Sequence, residues 1–165
     1  MRVTAVVLSL LLIGCASTPE EIQRREQAER DIEAILTQPS EATEYVEKKR
    51  CLREVEYRNF RALDDRHILF EGSRGRLWIN KLPIRCPDLR HATVLRVRST
   101  PSFGRMCRHD TFQAVDWFDW PWYRRSPWRW TSPWHSGISC ALGDFRAVTP
   151  AQVDALERAI KSKYK

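Results

Sequence analysis

The sequence has 165 residues, among them five cysteines and seven tryptophans, and carries a formal net charge of +7. The charge is divided: residues 15–50 hold nine acids and six bases, whereas residues 51–165 hold 12 acids and 21 bases, 17 of them arginine. One long run of apolar and small residues exists, the eleven from Val3 to Ile13; at about 1.5 Å per residue it cannot cross a hydrocarbon core of roughly 30 Å, which excludes a transmembrane helix there.

That run follows Arg2 and has the length of a signal-peptide apolar region. It closes on Leu12-Ile13-Gly14-Cys15, which resembles the lipobox of bacterial lipoproteins. The resemblance implies removal of residues 1–14 and a diacylglycerol and further acylation on Cys15, and more than one acyl chain anchors stably. Residue 16 is alanine rather than the aspartate associated with inner-membrane retention, so the expected address is the outer membrane, facing the periplasm.

Residues 15–50 read as a helical stalk. Thr18-Pro19-Glu20-Glu21 places a capping hydroxyl, proline at the first helical position and glutamate at the third, a strong helix start. Ile22, Ile32, Ile35 and Leu36 form a thin apolar stripe, so the predicted helix is mostly solvated. Pro39-Ser40 ends it, and residues 41–50 are expected to resume as a short helix with basic residues at its C-terminus.

Residues 51–149 read as the body. CLREVEYRNFRAL, RHILFEG, GRLWINKL, ATVLRVRS and DTFQAVDWF are short runs rich in β-branched and aromatic residues, bounded by turn residues. Alternation at Ile68/Phe70, Leu77/Ile79 and Phe112/Ala114 suits strands with one buried face, and residues 138–142 suit a further strand. The predicted fold is mainly β (α+β): about six antiparallel strands in a curved sheet or small barrel. In residues 150–165, Thr149-Pro150-Ala151-Gln152 repeats the cap signature, and Val153, Leu156 and Ile160 give the apolar face of a closing helix.

Beyond Cys15, the cysteines Cys51, Cys86, Cys107 and Cys140 form an even set in an oxidising compartment, which points to two disulfides. They contain no C-x-x-C pair, and 34, 20 and 32 residues separate them in turn, so a zinc site is disfavoured. Spacing leaves all three connectivities open. The order C-L-x(10)-L-D-D-R-H-I-x-F from Cys51, R-C-P-D-L at 85–89, G-R-M-C-x-x-D at 104–110 and C-A-L-G-D-F at 140–145 resembles an uncharacterised family of small envelope proteins of Gram-negative bacteria. The likeness covers residues 51–149, with the tryptophan-rich insert a departure from it. It implies pairing of Cys86 with Cys140 and of Cys51 with Cys107, and supplies no catalytic residues. Two such loops of fifty-odd residues would each add about 4 kcal/mol to a body whose strands hold only roughly 80 residues.

Asp64-Asp65-Arg66-His67 puts two carboxylates near a histidine, but the pattern suits an Asx-type turn between strands. His109-Asp110 reads as another turn, and no Gly-x-Ser-x-Gly, His-Glu-x-x-His or phosphate-binding glycine loop is present. Residues 116–135, DWFDWPWYRRSPWRWTSPWH, hold six of the seven tryptophans. Three prolines prevent a continuous helix or strand, so a long surface loop is expected. Its indoles either fold back over the core or form an interaction surface. Trp117, Trp120, Trp122, Trp128, Trp130 and Trp134 with Arg124, Arg125 and Arg129 would suit a membrane interface, an anionic glycan or a protein partner. The same residue types suit single-stranded nucleic acid, which the periplasmic address disfavours.

The sequence thus leads to an outer-membrane-anchored periplasmic lipoprotein, a binding or scaffolding module whose Trp/Arg loop meets an envelope protein or an anionic glycan or lipid. It indicates no metal, cofactor or nucleic acid and leaves the oligomeric state open. The alternative is an envelope hydrolase acting on a glycan or lipid, with a site near His67, His109 and Asp110, which requires those side chains to cluster beside a pocket.

Overall fold

A computed structural model describes residues 18–39, 48–98, 104–115 and 138–164. It shows a mainly β fold with one helix at each end of the described chain. In order, the elements are α1 (Pro19–Thr37), β1 (Lys48–Lys49), β2 (Cys51–Arg53), β3 (Asn59–Ala62), β4 (His67–Glu71), β5 (Leu77–Lys81), β6 (Val94–Arg98), β7 (Arg105–Cys107), β8 (Thr111–Val115), β9 (Ser139–Ala141), β10 (Phe145–Val148) and α2 (Pro150–Lys163). The strands form an antiparallel five-stranded sheet, β1-β10-β5-β4-β3, a two-stranded pair, β2-β7, and a three-stranded sheet, β6-β8-β9. The sheets do not close into a barrel.

The large sheet is covered on both faces, so its central strands depart from the expected single buried face. Because successive side chains in a strand alternate, Leu69, Ile79 and Val148 point to a cluster with Ile32 and Leu36 of α1 and Val153, Leu156 and Ile160 of α2. Ile68, Phe70, Trp78, Phe145 and Ala147 point the other way, onto Leu52, Met106, Phe112, Leu142 and both Cys86 and Cys140. A helix layer, a five-stranded sheet and a second β layer therefore stack around two cores.

The solvated stalk expected over residues 15–50 is corrected in two places. Thr18 does cap α1, accepting from the Glu21 N–H. From Ala28 onward, however, the helix is docked: Ala28, Ile32 and Leu36 recur every fourth residue and are almost fully buried. Ile32 and Leu36 contribute about 2 kcal/mol each when buried, and the Ala28 methyl less than about 1, enough for the stripe to hold half a helix. The opposite face stays solvated along the whole helix, as expected, and before Ala28 no side chain is buried, with Ile22 47 % exposed. The helix expected over 41–50 is also corrected at its end, since Lys48 and Lys49 form an edge strand on Arg146 and Phe145.

The closing helix begins as its sequence implies. The Thr149 hydroxyl accepts from the Gln152 N–H at 3.2 Å, and the Gln152 side chain accepts from the Thr149 N–H at 2.9 Å. The expected run 51–63 is split by a short 3-10 turn, Glu54–Glu56, held because the Glu56 carboxylate accepts from the Arg53 N–H and Lys49 Nζ. Disulfides join Cys51 to Cys107 and Cys86 to Cys140, the pairs that the family resemblance implies. The first lies across the β2-β7 pair, where the two residues are direct partners; the second ties the β5–β6 connection to β9.

Candidate functional site

Three of the residues weighed for chemistry do not form a catalytic cluster. His67 opens β4 and is 1 % exposed beneath the helices, whereas His109 is exposed on the β7–β8 turn. His109 has φ 74°, in the left-handed region that suits turn residues. Asp110 is buried, and its carboxylate accepts from the Cys107 N–H at 2.7 Å. Among the described residues, clefts lie elsewhere. One runs between α1 and β5 past Glu33, Lys81 and Arg146; another lies between β3 and α2 beside Arg61 and Tyr164. Cys15 and the nine Trp/Arg loop residues lie outside the described residues.

The structure builds a buried charge network that the spacing alone did not reveal. Asp64 makes the expected Asx turn, its Oδ1 accepting from the N–H groups of Arg66 at 2.8 Å and His67 at 2.7 Å. The same oxygen lies 2.9 Å from His67 Nδ1. Lys163, from the last turn of α2, enters this pocket with a side chain only 2 % exposed, lying 3.6 Å from Asp64 Oδ2 and 2.6 Å from Glu29 of α1. Arg85 meets the same Glu29 oxygen at 3.2 Å. His67 Nε2 is buried with no hydrogen-bond partner among the described residues.

Electrostatics follow from this packing. Burial alone would raise the Asp64 pKa, but hydrogen bonding and charge from His67, the Arg66 N–H and Lys163 outweigh it and lower it to about 2. Burial likewise opposes ionisation of Glu29, and Lys163 and Arg85 overcome it to bring its carboxyl below the usual range. The Lys163 ammonium is disfavoured by burial, yet Glu29 and Asp64 hold its pKa above the ordinary lysine value. The network can fasten α1, α2 and the β3–β4 turn together.

Next to this network lies the mount of the tryptophan-rich segment. The Cys86 N–H donates to the Asp65 carbonyl, and a 3-10 turn, Pro87–His91, follows. Arg90 of that turn stacks over the Tyr164 ring at 4.1 Å, and the Asp88 carboxylate accepts from the Ile138 N–H at 3.4 Å. Ile138 precedes β9, whose Ser139 pairs with Gln113 of β8, so the chain before and after the segment belongs to one sheet. Val115 and Ser139, which flank the segment, are therefore held by strand pairing, and the Cys140 that follows Ser139 is bonded to Cys86.

A family model matches residues 1–119, nearly three quarters of the chain, as a family of unknown function, DUF6491. The chain belongs to that family. The DUF6491 match includes residues 1–50, which the likeness read from the cysteine motifs left outside, in keeping with α1 being a packed part of the fold. It stops at residue 119, within the tryptophan-rich segment, leaving Cys140 and α2 beyond it. No curated protein and no solved structure matches the chain.

Proposed function

We propose that this DUF6491 protein is a lipoprotein of the bacterial outer membrane, anchored through Cys15 and facing the periplasm, whose residues 116–135 form the contact element of a binding or scaffolding module. The observation that supports this reading is the mount. Two paired strands and the Cys86–Cys140 bond hold the residues that flank a segment containing six tryptophans and three arginines. Those residue types dominate binding energy where they meet a partner, and a fixed mount lowers the ordering cost of presenting them.

The test replaces residues 117–134 with a short Gly/Ser linker in the full chain and compares crosslinks in intact envelopes. The expected outcome is a melting temperature within a few degrees of wild type together with loss of envelope crosslinks. Truncating a buried tryptophan costs about 3–5 kcal/mol. Collapse of the melt would therefore show that the indoles belong to the core, and the reading would be withdrawn.

A further inference from the structure

We infer that β3, the open edge of the five-stranded sheet, together with the cleft beside α2, docks an extended acidic peptide as an added strand, a surface separate from the Trp/Arg segment. β3 ends the strand order, with β4 its partner. Bonded and unbonded residue pairs alternate along an antiparallel ladder. The Leu63 N–H donates to the His67 carbonyl at 2.9 Å, and the Arg58 N–H donates to the Glu71 carbonyl at 2.8 Å beside the Asn59–Glu71 pair. Asn59, Arg61 and Leu63 therefore turn their backbone groups toward β4. Phe60 and Ala62 turn theirs to the open side, where no partner among the described residues meets them. Two donors and two acceptors are thus presented about 7 Å apart along the strand, and another extended backbone is the partner that matches them.

The cleft gives the side chains of such a strand a place to go. Arg61 and Leu63 share the face of Leu69, onto which α2 packs. Between them and Glu157, Ile160, Lys161 and Tyr164 of the closing helix and its end lies a cleft of about 490 Å³. Ile160 is buried in its floor, Leu63 is half-buried and the Tyr164 side chain is exposed. Successive side chains of a strand point to opposite faces, so alternate residues of a sixth strand come over this cleft while its backbone bonds to Phe60 and Ala62. The main chain then supplies affinity, and the cleft favours apolar, β-branched residues at the alternate positions.

Charge selects the occupant. Arg58, Arg61 and Lys161 are exposed along this edge. Arg61 meets Glu157 at 2.6 Å, both side chains half-exposed, whereas the Arg58 and Lys161 side chains meet no acid among the described residues. A second copy added edge to edge would bring these cations of both chains together, and like charges opposed across a ladder destabilise it. A charged residue on an edge strand is a device that prevents such self-pairing. A peptide with carboxylates flanking an apolar centre carries no such penalty and supplies Arg58 and Lys161 with counter-charges.

The experiment adds to the full chain a pool of octapeptides with Glu-Glu at each end and Val, Ile or Thr at the central positions, and follows amide hydrogen exchange residue by residue. The expected result is slowing on the order of tenfold at Phe60 and Ala62, with Leu63, already bonded to His67, changing less. A pool ended in Lys-Lys should give little protection. Ala62→Pro removes an open donor without touching the β3–β4 ladder, and should abolish the slowing at Phe60 at an unchanged melting temperature. Should that variant melt early, the exposed change Lys161→Glu decides, by weakening the protection. Unchanged exchange at Phe60 and Ala62 in excess peptide overturns the added strand, and equal protection by the Lys-ended pool overturns the acidic occupant. Protection without peptide that rises with protein concentration, alongside a dimer mass in sedimentation, overturns it in favour of a second copy.

Discussion

Glu29 and Lys163 stand 134 residues apart in sequence and 2.6 Å apart in the fold. Lys163 also lies against the fully buried Asp64, so its removal weakens the pairing of two carboxylates, leaving Glu29 with Arg85 and Asp64 with His67. Breaking a buried pair from one side costs about 3–5 kcal/mol, discounted here because Glu29 retains solvent contact. Lys163→Met is expected to lower the urea midpoint well below that of Lys161→Met, an exposed neighbour whose loss should stay within about 0.5 kcal/mol. Equal midpoints would show that the network carries no stability.

Acid should loosen the same junction. The folded pKa of Asp64, about 2, lies below its ordinary 3.8. Its contribution is therefore fully present above about pH 5 and fades as the pH falls through 4 toward 2, a loss on the order of 2 kcal/mol. Glu29, Glu33 and Glu56 are lowered too and act in the same direction. Asp64→Asn should be less stable at neutral pH but lose less stability on acidification; an unchanged slope would count against the assignment.

Asn80 and Gly143 hold each other by two bonds. The Asn80 amide donates to the Gly143 carbonyl at 2.9 Å, and its oxygen accepts from the Gly143 N–H at 2.8 Å. A Cβ on Gly143 would overlap the Lys81 carbonyl, so Gly143→Ala must shift β5 or β10 at a cost of about 1–3 kcal/mol or more. Asn80→Leu leaves both Gly143 groups unsatisfied, about 1–3 kcal/mol each. Denaturation of each variant checks both values.

Unreduced peptide mapping should recover Cys51–Cys107 and Cys86–Cys140 and no other pair. Cys86→Ser should cost about 2–5 kcal/mol. A recovered Cys51–Cys86 peptide would contradict the connectivity.

The proposed lipidation makes a separate claim. Cys15→Ser should abolish metabolic labelling by a fatty acid and leave the precursor uncleaved. Labelling equal to wild type would remove the anchor.

Local chemistry was legible where it decides structure locally. The two Thr-Pro starts located both helices, and alternation around Ile68, Leu77 and Phe112 located β4, β5 and β8. What stayed hidden depends on partners far along the chain. Phe145–Val148 is four residues, too short to show a period, yet it sits between β1 and β5. Lys48 and Lys49 carry no strand signal of their own; Glu56 and Asp144 accept their charges and Arg146 and Phe145 their backbone. Ala28 was missed because a methyl group does not announce burial, although it completes the docked stripe with Ile32 and Leu36. The Asp64–His67 turn was visible, but its third and fourth members, Lys163 and Glu29, are not neighbours in sequence.

The pairing of the first helix with the last also sets an order of events. A chain emerging from its N-terminus presents Ile32 and Leu36 to solvent long before Leu156 and Ile160 exist to cover them. Their shared cluster also needs Leu69 and Ile79 from the middle of the chain. Closure of that core is accordingly a late, long-range step, slowed by the loop entropy of more than a hundred intervening residues. Until then the amphipathic half of α1 is an adhesive segment, the natural target of a holding chaperone. A chain truncated before Pro150 loses Val153, Leu156 and Ile160 from that cluster, so proteolysis between Ala28 and Thr37 should rise in that truncation while the Cys51–Cys107 bond still forms.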